Sequence, residues 1–108
     1  MLKQKQAKRT AAPSNQLEGQ VQSCDESGNL ITDISNEAVA GLLGDESVSV
    51  KFGGHETFGI FSADHGEPDG TLVASLGDKQ ACLQIEIVGL SLSEMLGIKA
   101  GVSVSVSW

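Results

Sequence analysis

Aromatic residues are scarce in this chain. They make up 4% of its 108 residues, and tyrosine is absent. The core must therefore be built from Val, Ile, Leu and Ala, and the rings are too few for a stacking platform that binds single-stranded nucleic acid. No apolar run approaches the roughly 18 residues that span a membrane, and no signal-peptide pattern follows the basic N-terminus. We therefore expect a cytoplasmic protein that does not contact membranes.

Basic residues are also few in most of the chain. All 14 acidic residues lie from Glu18 onward, where the only basic residues are three lysines, so the body carries about eleven negative charges. Such a surface repels phosphate backbones, and a nucleic-acid partner is not expected. The remaining basic residues lie near the N-terminus. We interpret residues 1–17 as a disordered basic tail and residues 18–108 as one domain. The basic residues are Lys3, Lys5, Lys8, Arg9, Lys51, Lys79 and Lys99.

The sequence lacks the patterns of common catalytic and metal sites. Cys24 and Cys82 belong to no CxxC or Cys/His array, so zinc is not expected and both thiols should be reduced. His55 and His65 stand in no recognised arrangement with a nucleophile, and we expect no metal ion at either. The GxSxG, GxxxxGK[ST] and GxGxxG motifs do not occur. The chain is therefore expected to be a binding or assembly module and not an enzyme by itself.

Short alternating segments dominate what is present. Residues 47–52 and 102–108 alternate apolar and polar residues as half-buried strands do. Further strands are predicted at residues 19–24, 29–34, 55–62, 71–75 and 81–88, and short helices at 36–43 and from Ser91 to Leu96. This pattern predicts a mainly β protein: a small closed or nearly closed β-barrel of about seven strands with two short helices. A β-sandwich is the alternative.

One turn differs from the other loops. Residues 24–34 read CDESGNLITDI, so Gly28 and Asn29 lead directly into an apolar strand. An amide at the mouth of a strand can donate and accept hydrogen bonds toward a purine edge. The alternative is that Asn29 is present because asparagine tolerates left-handed backbone geometry in a turn.

Three segments carry a resemblance to a known family. GNLITDI, TLVASLGDKQACLQIEIVG and SLSEMLGIKAGVSVSVSW resemble the C-terminal domain of the S-adenosyl-L-methionine hydroxide adenosyltransferases, which include fluorinating and chlorinating enzymes. The resemblance covers about residues 18–108. It implies a small β-barrel that reads adenine at a site shared with the catalytic N-terminal domain of a neighbouring subunit in a trimer. That N-terminal domain has no counterpart in this sequence.

The resemblance assigns roles to individual residues. Asn29 matches the asparagine that hydrogen-bonds the adenine edge, and Phe61 is a candidate to stack on the base or, equally, a core residue. Ser27 replaces an aromatic residue of the family. The halogenating members have a basic grip where this chain has Lys79, Gln80 and Ile87.

Three functions follow as hypotheses. The first is a stand-alone barrel that binds S-adenosyl-L-methionine or adenosine, as a homo-oligomer or with a separate catalytic partner. The second is a structural or protein-interaction module that has lost the ligand. The third is an S-adenosylmethionine hydrolase that acts only with a partner. No cofactor is expected.

Overall fold

The computed structural model describes residues 15–78 and 80–108, and within them the fold is mainly β. Seven antiparallel strands form one sheet in the order β4-β3-β7-β1-β2-β6-β5. The strands are β1 (Gln16–Cys24), β2 (Leu30–Ser35), β3 (Ser49–Phe52), β4 (His55–Phe58), β5 (Leu72–Leu76), β6 (Cys82–Ile87) and β7 (Ser103–Ser107). Two short helices complete it, α1 (Asn36–Val39), which runs into a single 3-10 turn (Ala40–Leu42), and α2 (Leu92–Leu96).

The sheet curls until its two end strands meet. The Thr57 hydroxyl of β4 donates to the carbonyl of Leu72 in β5 at 3.2 Å. Beyond β4, the backbone of Phe61 donates to Ala74 O and accepts from Leu76 N, each at 2.9 Å. These bonds cover most of the free edge of β5. The predicted, nearly closed barrel of seven strands with two short helices is therefore confirmed.

The core fills the inside of this barrel with aliphatic side chains. The alternation predicted for β3 is confirmed, since Val48, Val50 and Phe52 are at most 1% exposed. Leu83, Ile85 and Ile87 of β6 also point inward, whereas Val102 and Trp108, at the two ends of β7, are only partly buried. Period-two patterns predicted the core because successive strand side chains alternate between two faces.

Three predicted boundaries differ most from the structure. β1 begins at Gln16, so the folded part starts before residue 18, and Leu17 packs against the core. The rest of the predicted tail, residues 1–14, lies outside the described residues. The predicted strand 55–62 breaks at Gly59, whose φ of +85° turns the chain away from β3. α1 ends at Val39, before the predicted end of the helix at residue 43, and Leu43 is exposed.

Candidate functional site

The turn between β1 and β2 is organised by one carboxylate. Asp25 Oδ1 accepts hydrogen bonds from the backbone N–H groups of Ser27 at 2.9 Å and Asn29 at 3.0 Å. Its Oδ2 accepts from Asn29 Nδ2 at 3.2 Å. Backbone bonds join the same residues, from Asp25 N to Asn29 O and from Gly28 N to Asp25 O, each at 3.0 Å. Asp25 therefore fixes both the backbone and the side chain of Asn29.

The left-handed position of this turn belongs to glycine. Gly28 has a φ of +85°, and Ala81 is the single non-glycine residue with positive φ in the described part of the chain. Asn29 therefore does not occupy left-handed geometry, and tolerance of that geometry does not explain it. What the structure shows instead is an amide hydrogen-bonded to Asp25 at the start of a strand.

The bond with Asp25 also orients the Asn29 amide. One Nδ2 hydrogen is donated to Asp25, which turns Oδ1 to the other side of the planar amide. No described group donates to Oδ1, and the side chain is half-buried. The amide thus keeps one acceptor and one donor hydrogen for a ligand.

Asn29 lies between two cavities. The larger, about 780 Å³, is lined by polar residues of the turn and by neighbouring residues of β2 and β6. The smaller, about 370 Å³, is also lined by Asn29 and reaches Glu86 and Ser91, the residue before α2. Both volumes are within the range of small-molecule sites. The first is lined by Cys24, Asp25, Glu26, Ser27, Asn29, Ile31, Asp78, Gln80 and Gln84, and the second by Ser27, Asn29, Glu86, Gly89, Leu90 and Ser91.

The electrostatics of the site are acidic. Asp25, Glu26 and Asp78 line the larger cavity and Glu86 lines the smaller one. Carboxylates that line a cavity favour a ligand that carries positive charge or presents hydrogen-bond donors.

Strand pairing places Glu86 beside Asn29. Leu30 pairs with Ile85 in the core, and Ile31 pairs with Gln84 on the outer face. One step further along the same register sets Asn29 opposite Glu86, and directly opposed side chains of an antiparallel pair lie on one face. The outer face of β2 and β6 therefore brings two amides and one carboxylate together.

Glu86 is itself fixed by a histidine from the loop after β4. His65 Nε2 lies 3.0 Å from Glu86 Oε2, and the two side chains are 9% and 19% exposed. The backbone N–H of Glu67 donates to His65 Nδ1 at 2.9 Å. The ring proton therefore sits on Nε2 and is donated to Glu86. Sequence reasoning missed this pair, whose members are 21 residues apart, although Glu86 alternates with Ile85 and Ile87 in the predicted strand 81–88.

Phe61 and Asn29 line different cavities. Phe61 is half-buried and lines a third cavity of about 630 Å³, an apolar groove with exposed Leu43 and Phe58. Its ring meets the His65 ring edge-on at 6.1 Å between centroids. In nearby Asp45, hydrogen bonds from the Ser47 hydroxyl and backbone N–H lower the pKa of the exposed carboxyl.

The other residues singled out by sequence fall in three places. Gln80 lines the larger cavity, Ile87 is buried in the core away from it, and Lys79 lies outside the described residues. Cys24 and Cys82 are free thiols. In residues 15–78 and 80–108 no group of three His, Cys, Asp or Glu side chains could hold a metal ion. None of the helices described is long and apolar enough to cross a bilayer.

Fold and site together define a small, nearly closed, mainly β barrel with a polar cavity beside the β1–β2 turn. No protein-family model and no curated protein sequence matches this chain. Solved structures with a similar fold do exist. A conserved hypothetical protein from Thermus thermophilus is 28% identical over 82% of this chain, with a TM-score of 0.60.

A second similar structure supports the same architecture. An uncharacterized conserved protein from Thermotoga maritima matches 100% of this chain at 20% identity, with a TM-score of 0.71. The chain covers only 32% of the Thermus protein and 43% of the Thermotoga protein. Barrels of this kind thus occur as parts of considerably longer proteins.

Proposed function

We propose that this barrel binds an adenosine-bearing ligand, S-adenosyl-L-methionine or adenosine, on the Asn29 face. The observation that carries the proposal is the Asn29 amide, held by Asp25 with an acceptor and a donor hydrogen left for a ligand. Adenine presents an exocyclic amino group beside a ring nitrogen acceptor, and asparagine pairs with that edge through two hydrogen bonds. The resemblance of the segment GNLITDI to adenine-reading barrels supports the same assignment.

The larger cavity suits the rest of such a ligand. S-adenosyl-L-methionine carries a sulfonium and an ammonium group, and the carboxylates of Asp25, Glu26 and Asp78 line this cavity. Two opposite charges about 4 Å apart attract by about 1 kcal/mol or more near a protein surface. A phosphorylated nucleotide would be repelled by the same carboxylates. The charge of the cavity therefore favours a cationic or neutral adenosyl ligand over ATP.

The site is proposed as one half of a larger one. Most residues that line the larger cavity are exposed, including Asp25, Glu26 and Asp78, whereas functional small-molecule sites bury most of their ligand. A second polypeptide surface would supply the missing wall. The resemblance implies that this second surface belongs to a neighbouring copy in a trimer or to a separately encoded catalytic domain. The proposed location is the cytoplasm. Light scattering with and without the ligand measures whether copies assemble.

Asn29→Ala should weaken adenosine binding about tenfold or more, because the change removes one acceptor and one donor that contact the purine. Calorimetric titration at millimolar ligand measures the effect. Asn15→Ala is the matched control, since exposed Asn15 precedes the other end of β1, and it should bind as the unchanged protein does. Heats no larger than buffer dilution with the unchanged protein would refute the proposal.

A structural module without a ligand is the second candidate function. One observation favours it: Ile87, which stands at a position of the family's basic grip, is buried in the core and cannot reach the outer face. Light scattering and a pull-down from native extract address this candidate, and a monomer that has a saturable ligand and no partner argues against it.

Hydrolysis of S-adenosyl-L-methionine is proposed only for a complex with a catalytic partner. The carboxylate of Asp25 is engaged within its own turn, and His65 is bound on both ring nitrogens. Purified chain incubated with S-adenosyl-L-methionine should therefore release no adenosine, and turnover by the isolated chain would contradict this.

A further inference from the structure

Glu86 shares the smaller cavity with Asn29. The register of β2 and β6, in which Leu30 pairs with Ile85, sets Asn29 opposite Glu86 when it is extended by one residue, and both residues line the cavity of about 370 Å³. A ligand edge that contacts one of them lies beside the other.

Both side chains are held in the same way. Asn29 donates Nδ2–H to Asp25, and Glu86 Oε2 accepts from His65 Nε2. Each therefore has one polar atom engaged by a fixed partner and one oxygen, Asn29 Oδ1 or Glu86 Oε1, that accepts no hydrogen bond from the described residues. Because Nδ1 of His65 accepts from Glu67 N, His65 acts only as a donor toward Glu86. The carboxylate of Glu86 is thus kept as an acceptor.

Two adjacent acceptors require a group that donates two hydrogens. The exocyclic amino group of adenine has two hydrogens, whereas hypoxanthine carries a carbonyl oxygen at the same position. An oxygen at that position offers no hydrogen to Asn29 Oδ1 or Glu86 Oε1 and faces the Glu86 carboxylate, which is unfavourable.

We infer that Glu86, oriented by His65, is a second ligand-reading group of this site and makes it select adenosine over inosine. This inference rests on the proposed function, and it deepens that function by assigning specificity. His65 is a positioning residue, because it acts through Glu86 and does not itself line the cavity.

Titration of the unchanged protein with adenosine and with inosine gives the first test. Inosine should bind about tenfold more weakly or worse, the size of effect expected when a buried polar group loses its partner. Equal affinities would overturn this inference and leave the proposed function standing. Binding of neither nucleoside would overturn both.

Glu86→Gln gives the sharper test. His65 should donate its Nε2 proton to the oxygen of the new amide. The amide NH₂ then faces the ligand as a donor. Adenosine should bind more weakly, inosine more tightly, and the ratio of their dissociation constants should fall about tenfold toward unity. An unchanged ratio would overturn the inference.

His65→Leu tests the positioning role. Without the donated proton the Glu86 carboxylate can turn toward solvent, so the ratio should fall while adenosine still binds through Asn29. Asp64→Asn is the control in the same loop, where the exposed carboxylate accepts a hydrogen bond from the Ser62 hydroxyl, and it should leave the ratio unchanged. If His65→Leu also left the ratio unchanged, His65 would have no positioning role. Circular dichroism measures whether each variant folds. If Glu86→Gln does not fold, the titrations of the unchanged protein and of His65→Leu with the two nucleosides decide the outcome.

Discussion

Gly28→Ala should both destabilise the barrel and abolish adenosine binding. Gly28 has a φ of +85°, a conformation that costs alanine about 1–2 kcal/mol. An added methyl would also lie 2.7 Å from Ser91 Cβ and 2.8 Å from Ser91 Cα, so the turn must move away from α2. Such overpacking costs a further ~1–3 kcal/mol. The displaced turn carries Asn29 with it, and chemical denaturation and calorimetry measure the two effects.

Gly54→Ala is the matched control for backbone strain. Gly54 also has a φ of +85°, but no atom lies within 4 Å of the position of an added methyl. Gly54→Ala should lose only the stability that the strained backbone conformation costs. It should keep its affinity for adenosine. The difference between the two variants then measures the contact of Gly28 with Ser91. Equal losses of stability in both, with binding retained in both, would show that this contact does not position the site.

The strands could be predicted because their information is local. Val48, Val50 and Phe52 recur with period two and all lie in the core, since side-chain alternation follows directly from strand geometry. The Ser91 cap of α2 was equally visible, because the hydroxyl and the N–H of Glu94 that it caps are three residues apart. Closure of the barrel could be predicted only from the general advantage of removing exposed strand edges. The hydrogen bond from Thr57 to Leu72 that joins the two end strands could not be predicted, because it depends on how strongly the sheet curls.

The site could be predicted only in part. Asn29 was visible because the strand follows it directly, and Asp25 could have been found as an acceptor four residues earlier in the same turn. Glu86 and His65 could not be paired from the sequence, because the loop that carries His65 folds back over the sheet through contacts distant in the chain. Phe61 and Asn29 shared a predicted role, but the structure places them at different cavities.

The strand that follows Asn29 depends on one buried hydroxyl. Pairing between β2 and β6 is irregular between Ile31 and Ser35, so the ladder does not satisfy every backbone group there. Thr32 is fully buried, and its Oγ1 donates to Leu83 O at 2.8 Å and accepts from Ile34 N at 3.1 Å. The hydroxyl thus replaces ladder bonds at the irregularity, where water cannot enter to do so.

Thr32→Val should therefore destabilise the fold although it preserves shape and adds no cavity. Two buried backbone groups would lose a partner at about 1–3 kcal/mol each, so the free energy of unfolding should fall by roughly 2–6 kcal/mol. Thr32→Ser removes the methyl but keeps both hydrogen bonds, and it should cost only about 1 kcal/mol, as for one buried methyl group. Denaturant unfolding of the two variants compares them directly. If the serine variant were the less stable one, packing and not hydrogen bonding would hold β2 against β6.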